Sequence, residues 1–305
     1  MHIQVPSDTS FLSSERVRYV SFSGIVRGEF VKIARLFWWM TAILAIGFLA
    51  ALLLQASVPD LNLSAQKTPL HFLYDIMETG MTFFRILVGI FLLILTSLCI
   101  GREYQYGTIR IVLARGVGRV QLLLAKLALI VLLSLGLVVL FSLITLIFLC
   151  MLSFALVGNL APLGATTSAF WANTGRDLLA VVISMGATIL LAAAMSALGR
   201  SLTFGISASL AWFPLDNVSA LVLNVLAEVT HSHFWPSLSL YLLGPQLNRL
   251  PDRLLPKEVQ GVSASFGAEP LVSVSLVQAL MVVGAYVLIF LVLTLVTTWK
   301  RDIKE

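Results

Sequence analysis

The chain has 305 residues, 59% hydrophobic and only 11% charged, with mean hydropathy +0.97 and net charge +5. Soluble domains carry about 25% charged residues, so this chain holds more apolar mass than one soluble core could bury. That excludes an ordinary cytosolic enzyme, a disordered chain and a small secreted domain. Cys99 and Cys150 both lie in apolar runs, which points neither to a disulfide framework nor to a thiolate metal site.

Residues 1–36 are largely polar and carry both signs of charge. With no short apolar run and small-residue cleavage site ahead of the first span, a cleavable signal is not expected. Within 21–35, Phe22, Val26, Phe30 and Ile33 share one helical face, and Arg27, Lys32 and Arg35 point away from it. This spacing suits an interfacial helix, and equally a plain basic anchor before the first span.

A membrane span needs about 20 mostly apolar residues. Residues 37–54 and 81–100 meet this, the second with one charge, Arg85. Residues 127–157 form a third span, long or tilted. Gly158, Pro162 and Gly164 break it into a loop. A fourth span runs over 178–199. A fifth covers 202–226 and contains Pro214 and Asp216, and a sixth covers 274–299. Only Arg200 and Ser201 separate the fourth from the fifth, which predicts an antiparallel hairpin. Fourteen of the 20 basic residues fall before the first span, between the second and third, at Arg200, or in the tail. Positive-inside placement then predicts six spans with both termini cytoplasmic.

The cytoplasmic segment 101–126 carries the most information. Glu103 is its single acid among five bases. Gly107 permits a sharp turn after the second span, and Thr108 suits the cap of a short helix starting at Ile109. Ile109, Val112 and Leu113 would share one side of it, with Arg110 on another. Gly116 and Gly118 would end it, and Arg119 would start the approach to the third span. Such a helix at the membrane surface is suited to docking into another protein.

Glu103-x-x-x-Gly107-Thr108-x-Arg110, followed by Arg115, Arg119 and Lys126, resembles the membrane subunit of ABC-2-type ABC transporters. The basic stretch before the first span and the ending Trp299-Lys300-Arg301-Asp302-Ile303 are also similar to that family. The family often has a proline-containing turn where this chain has Gly116-Val117-Gly118.

The resemblance implies an all-α, six-span permease of the type V-like exporter class. Its parts would be an amphipathic N-terminal segment over 1–36 and a transmembrane domain over 37–299 with an external region at 227–273. A cytoplasmic tail, 300–305, would follow. The coupling helix would present Glu103, Gly107, Thr108, Ile109, Arg110, Val112, Leu113, Arg115 and Arg119 to a separate ATPase. Two short re-entrant helices would lie outside, between spans five and six. A second permease subunit, identical or similar, would complete a dimer in a bacterial inner (plasma) membrane, with no nucleic-acid partner. ATP and Mg would be bound by the partner ATPase, and no cofactor by this chain. No G-x-x-x-x-G-K-[ST] phosphate cradle occurs in it, so it is not expected to be an enzyme.

Glu103 and Arg110 are the leading coupling residues, through a salt bridge that fixes the turn or a direct contact with the ATPase. A solvated surface pair is the plain alternative. Arg85 and Asp216 are charges at membrane depth, where an ion is costly and usually paired or facing water. Counted along their helices they reach similar depth. They are expected either to pair, within one subunit or across a dimer, or to leave Asp216 in water beyond a helix ended by Pro214. With Asn217 they mark the expected translocation route, since spans two and five line it in the resembled family. His231 and His233 lack the further ligands a metal site needs. A gradient-driven carrier or channel is the competing class, and it would want membrane-embedded acids as ion sites.

Overall fold

A computed structural model describes residues 21–57, 61–107, 117–255, 267–268 and 270–300. Among these residues no strand occurs, and six helices are long and apolar enough to cross a membrane. A bilayer leaves the backbone no water to bond, so each crossing must satisfy its own N–H and C=O groups, as a helix does.

Helix α1 runs unbroken over Phe22–Ala56, capped by Ser21, whose side chain accepts from the Gly24 amide at 3.2 Å. The amphipathic segment and the first span are therefore one helix. Its inward face carries Ile25, Glu29, Ile33 and Phe37, while Phe22 is exposed. Short α2 (Leu61–Lys67) leads to α3 (Pro69–Gln105), which starts well before the apolar stretch that marks it in the sequence. Helix α4 (Arg119–Val157) begins at Arg119 and stops at Gly158, whose φ of +78° closes the C-terminus as a left-handed cap. A short 3-10 turn (Ala161–Ala165) precedes α5 (Ser168–Gly199). Arg200, at φ +47°, and Ser201 turn the chain directly into α6 (Leu202–Thr230), giving the expected hairpin. Helix α6 passes through Pro214 without ending and stops at His231, which adopts φ +51°. Among the described residues three short α-helices follow, α7 (Phe234–Leu238), α8 (Leu243–Asn248) and α9 (Leu250–Leu254), before the last long helix, α10 (Leu276–Lys300).

The bundle is built around α3 and α5, whose most apolar stretches are each 61% buried, against 11% for α6. Buried alanines at 187, 192, 193 and 194 keep α5 slim, and small residues let helices approach closely where lipid offers no hydrophobic drive. Phe48 of α1, Phe84 of α3 and Phe141 of α4 meet in the middle. Phe141 lies 5.1 Å from Phe48 and 4.9 Å from Phe84, stacked on the latter. A second cluster packs α5 against α8, α9 and α10 through Leu191, Leu243, Leu247, Leu250 and Phe290. At one end of the bundle α1 begins, α3 ends and α4 begins, and the charges of Glu29, Lys32, Glu103 and Lys126 gather there. It is called the basic end below.

Candidate functional site

At the basic end, Lys126 is the centre of an ion cluster drawn from three helices. It sits two turns into α4, on the face that also carries the buried Leu122, Leu123, Leu129 and Ile130. Its side chain is only 5% exposed. The ammonium donates to Glu29 Oε2 of α1 at 2.6 Å and to the Cys99 carbonyl of α3 at 2.8 Å. It also lies 3.0 Å from Glu103 Oε1. A lysine has three N–H donors, and three acceptors surround this one. Lys32, half exposed, bridges Glu29 and Glu103 from the outside, 3.4 Å from Glu103. Two acids and two bases thus close a neutral group that ties α1, α3 and α4 together. Inside a low dielectric such a network holds its members in one geometry.

The cluster stands at the root of the segment joining α3 to α4. Glu103 lies in the last turn of α3, and the chain leaves it through Tyr106 and Gly107. Gly107 has φ +66°, the left-handed conformation that glycine adopts without a steric penalty. Glu103 makes ion pairs with Lys126 and Lys32, whereas the expected pair with Arg110 involves a residue outside the described ones. Thr108, Ile109, Arg110, Val112, Leu113 and Arg115 lie outside the described residues. Arg119 is the first residue of α4, with Gly118 as its N-cap.

Arg85 and Asp216 meet the same short helix from opposite sides. Asp216, 9% exposed on α6, accepts from the Gly244 amide at 2.8 Å, at the start of α8. Arg85, 9% exposed on α3, donates to the Leu247 carbonyl at 3.0 Å and to Asn248 O at 3.4 Å, at the end of α8. Within one subunit they therefore form no ion pair. Each instead satisfies the unpaired backbone groups at one end of α8, acid at the amide end and base at the carbonyl end. Nor does Pro214 release Asp216 into water: the helix continues and the carboxylate is buried. Asn217 completes the clasp, its Oδ1 accepting from Asn248 Nδ2 at 3.2 Å and from the Ala268 amide at 2.9 Å. The approach at Gly244 is close, since a Cβ there would stand 3.1 Å from Asp216 Cβ.

Two members of these groups are not among the expected site residues, although Lys126 closes the family motif. Glu29 looks like one more charge in a basic segment, although Ile25 and Ile33, one turn either side of it, place it on an apolar face. Lys126 looks like a positive-inside residue. An acid and a base each set among apolar residues at helical spacing are the only sign that they meet.

These features define a class: a polytopic helical membrane protein with a charge-locked loop root at one end. The chain belongs to the ABC-2 family of transporter membrane proteins. Residues 25–210, more than half of the chain, match the family described as ABC-2 family transporter protein. Membership makes it a multi-pass permease component, not itself the ATPase, in a family whose members normally partner with an ATPase subunit. No curated protein matches it in sequence.

Proposed function

We propose that the chain is the permease subunit of an ATP-driven exporter that works by alternating access. Beyond family membership, the observation that carries this reading is the buried group of Glu29, Lys126, Glu103 and Lys32. A loop that only connected two spans would not need such a root. A loop that receives force does, because the network makes α1, α3 and α4 move as one body when residues 107–118 are pushed. On this reading the segment from Gly107 to Gly118 docks into a separate ATPase, which binds ATP and Mg, and the basic end faces the cytoplasm. Arg85, Asp216, Asn217 and α8 then form the outer closure of the route. A second permease subunit covers the exposed face of α6, where Leu215, Val218, Val222 and Val225 are all more than half exposed.

The test is purification of the tagged chain in mild detergent from its native membrane. A co-eluting ATPase, with ATP hydrolysis lost on replacing residues 108–115 by a Gly/Ser linker, is the expected result. Unchanged hydrolysis and unchanged co-elution after that replacement would remove the coupling role.

One observation favours a gradient-driven carrier as the second reading. Glu78 and Asp177 are 4% and 7% exposed and line a small void with Arg85, and intramembrane acids are the usual ion sites of such carriers. Transport that stops when a protonophore collapses the proton gradient at constant ATP would select it.

A further inference from the structure

Beside the α8 clasp lies a cavity of about 410 Å³ between α3, α5 and α6, within the size range of small-molecule sites. Helices α3 and α6 run antiparallel, so the order of wall residues along each gives the cavity a direction. On α3 it extends from Arg85 to Leu93, eight residues or about 12 Å of helix. On α6 it extends from Asn217 back to Leu210. Arg85, Asn217 and Asn248 therefore stand at one end, and Leu93 and Leu210 at the other.

The chemistry of the two ends differs. Between them α3 and α6 supply the apolar Ile86, Ile90 and Phe213, and α5 adds the polar Ser184 and Thr188. Among the described wall residues the single formal charge is the Arg85 guanidinium; the carboxylates that act on it, Asp252 and Asp177, lie outside the cavity wall. Glu78 and Asp177 lie on the other side of Arg85, along the separate small void. A guanidinium has five N–H donors, of which the last carbonyls of α8 take two. Ser184, 7% exposed on the α5 wall, has a buried hydroxyl with no hydrogen-bond partner among the described residues. A buried polar group left so is costly until something supplies the missing bond.

We propose that this cavity binds an elongated apolar molecule with one anionic head, the head at Arg85 and the two asparagines and the tail toward Leu93 and Leu210. This deepens the permease reading and rests on it, because it names the class of cargo that the route accepts. The same chemistry is offered by a free anionic amphiphile and by an anionic bilayer lipid.

The experiment uses the full chain in phosphatidylcholine nanodiscs and a dodecanoate carrying a diazirine near its tail. Photolabelling is expected on the α3 and α6 peptides holding Leu93 and Leu210, with dodecanoate competing better than dodecanol or dodecylammonium. Arg85→Gln should weaken dodecanoate competition about tenfold more than dodecanol competition, as expected for one lost charge-assisted hydrogen bond. Gly89→Phe gives a second variant outside the clasp. Gly89 lines the cavity, and a Cβ at this position would have no neighbour within 4 Å. The new ring therefore starts from an unobstructed Cβ on the cavity wall, takes up ligand space and should abolish labelling. Equal competition by dodecanol, preference for dodecylammonium, or labelling indifferent to Gly89→Phe would overturn the proposal. Lipids extracted with the purified chain identify the source. Anionic phospholipid present in the wild type and lost in Gly89→Phe marks a bilayer lipid, and dodecanoate labelling without such a lipid marks a free amphiphile. Failure of the permease reading has a separate sign, the absence of a co-eluting ATPase whatever the probe does.

Discussion

Lys126 shows how much one side chain decides at the basic end. Its ammonium is buried against two carboxylates and a carbonyl, so its removal leaves Glu29 and Glu103 in a poor solvent with one outer partner. Breaking a buried pair by deleting one member costs about 3–5 kcal/mol, more than the pair contributes over a neutral replacement. Lys126→Met is therefore expected to lower the melting temperature of the purified protein sharply. Adding Glu29→Gln and Glu103→Gln should recover much of the loss. Lys32 is half exposed, and exposed pairs contribute about 0–1 kcal/mol, so Lys32→Ala should melt close to wild type. Equal destabilisation by the two lysine substitutions would count against a buried centre. Gly107 acts through the backbone instead. At φ +66° a β-branched residue is strained by about 1–2 kcal/mol. Gly107→Val should insert normally, and co-elution with the proposed ATPase should fall while the melting temperature drops by only a few degrees, much less than for Lys126→Met.

At the scale of elements, α8 is held by its ends. A six-residue helix has almost no internal hydrogen bonds of its own and gains little from propensity. Its stability comes from Asp216 at the first amides, Arg85 at the last carbonyls, and the burial of Leu243 and Leu247 against α5 and α10. A side chain larger than hydrogen at 244 would press on Asp216. Gly244→Val is expected to lift α8 from α6 and to make residues 243–248 accessible to a water-soluble thiol reagent when a cysteine is placed at Gln246. Gln246 is fully buried in the native protein. No gain in labelling would mean that α8 is held by something other than this clasp. The α5–α6 hairpin depends on a similar closeness, for a Cβ at Gly205 would meet Ser196.

At the scale of the molecule, burial is uneven, and that carries information. Helices α3 and α5 are enclosed, whereas α6 presents Leu215, Val218, Leu221, Val222, Val225 and Val229 on its surface. Lipid accepts such a face, and so does a second subunit. With Cys99 and Cys150 replaced by serine, a cysteine at Val222 should cross-link two copies within the membrane. A cysteine at Ile147, on the exposed face of α4, should not. Cross-linking of equal yield at both positions would reflect random collision and remove α6 as the dimer face.

Much of the fold was legible because a bilayer is a strict solvent. Six apolar stretches, their breaks at Gly158 and at Arg200-Ser201, and the hairpin they imply follow from hydropathy and turn chemistry. Helix lengths were less legible. The flanking turns of α1 and α3 mix apolar residues with charged ones and so fall short of a continuous apolar run, yet intrahelical hydrogen bonds carry the helices through them. The resemblance around Glu103 and Gly107 located the segment that matters, but not what Glu103 touches.

Composition and hydropathy alone determined that this chain is a helical membrane protein; the motif around Glu103 and Gly107 and the family match, not composition, made it ABC-2. The cost of burying charge and backbone in hydrocarbon permits few other outcomes. Tertiary structure alone decided the partners. Glu29 meets Lys126 across 97 positions, and Arg85 and Asp216 grip the two ends of α8 and not each other. Such contacts depend on how helices rotate and cross, which side-chain packing sets and which no local pattern along the chain encodes.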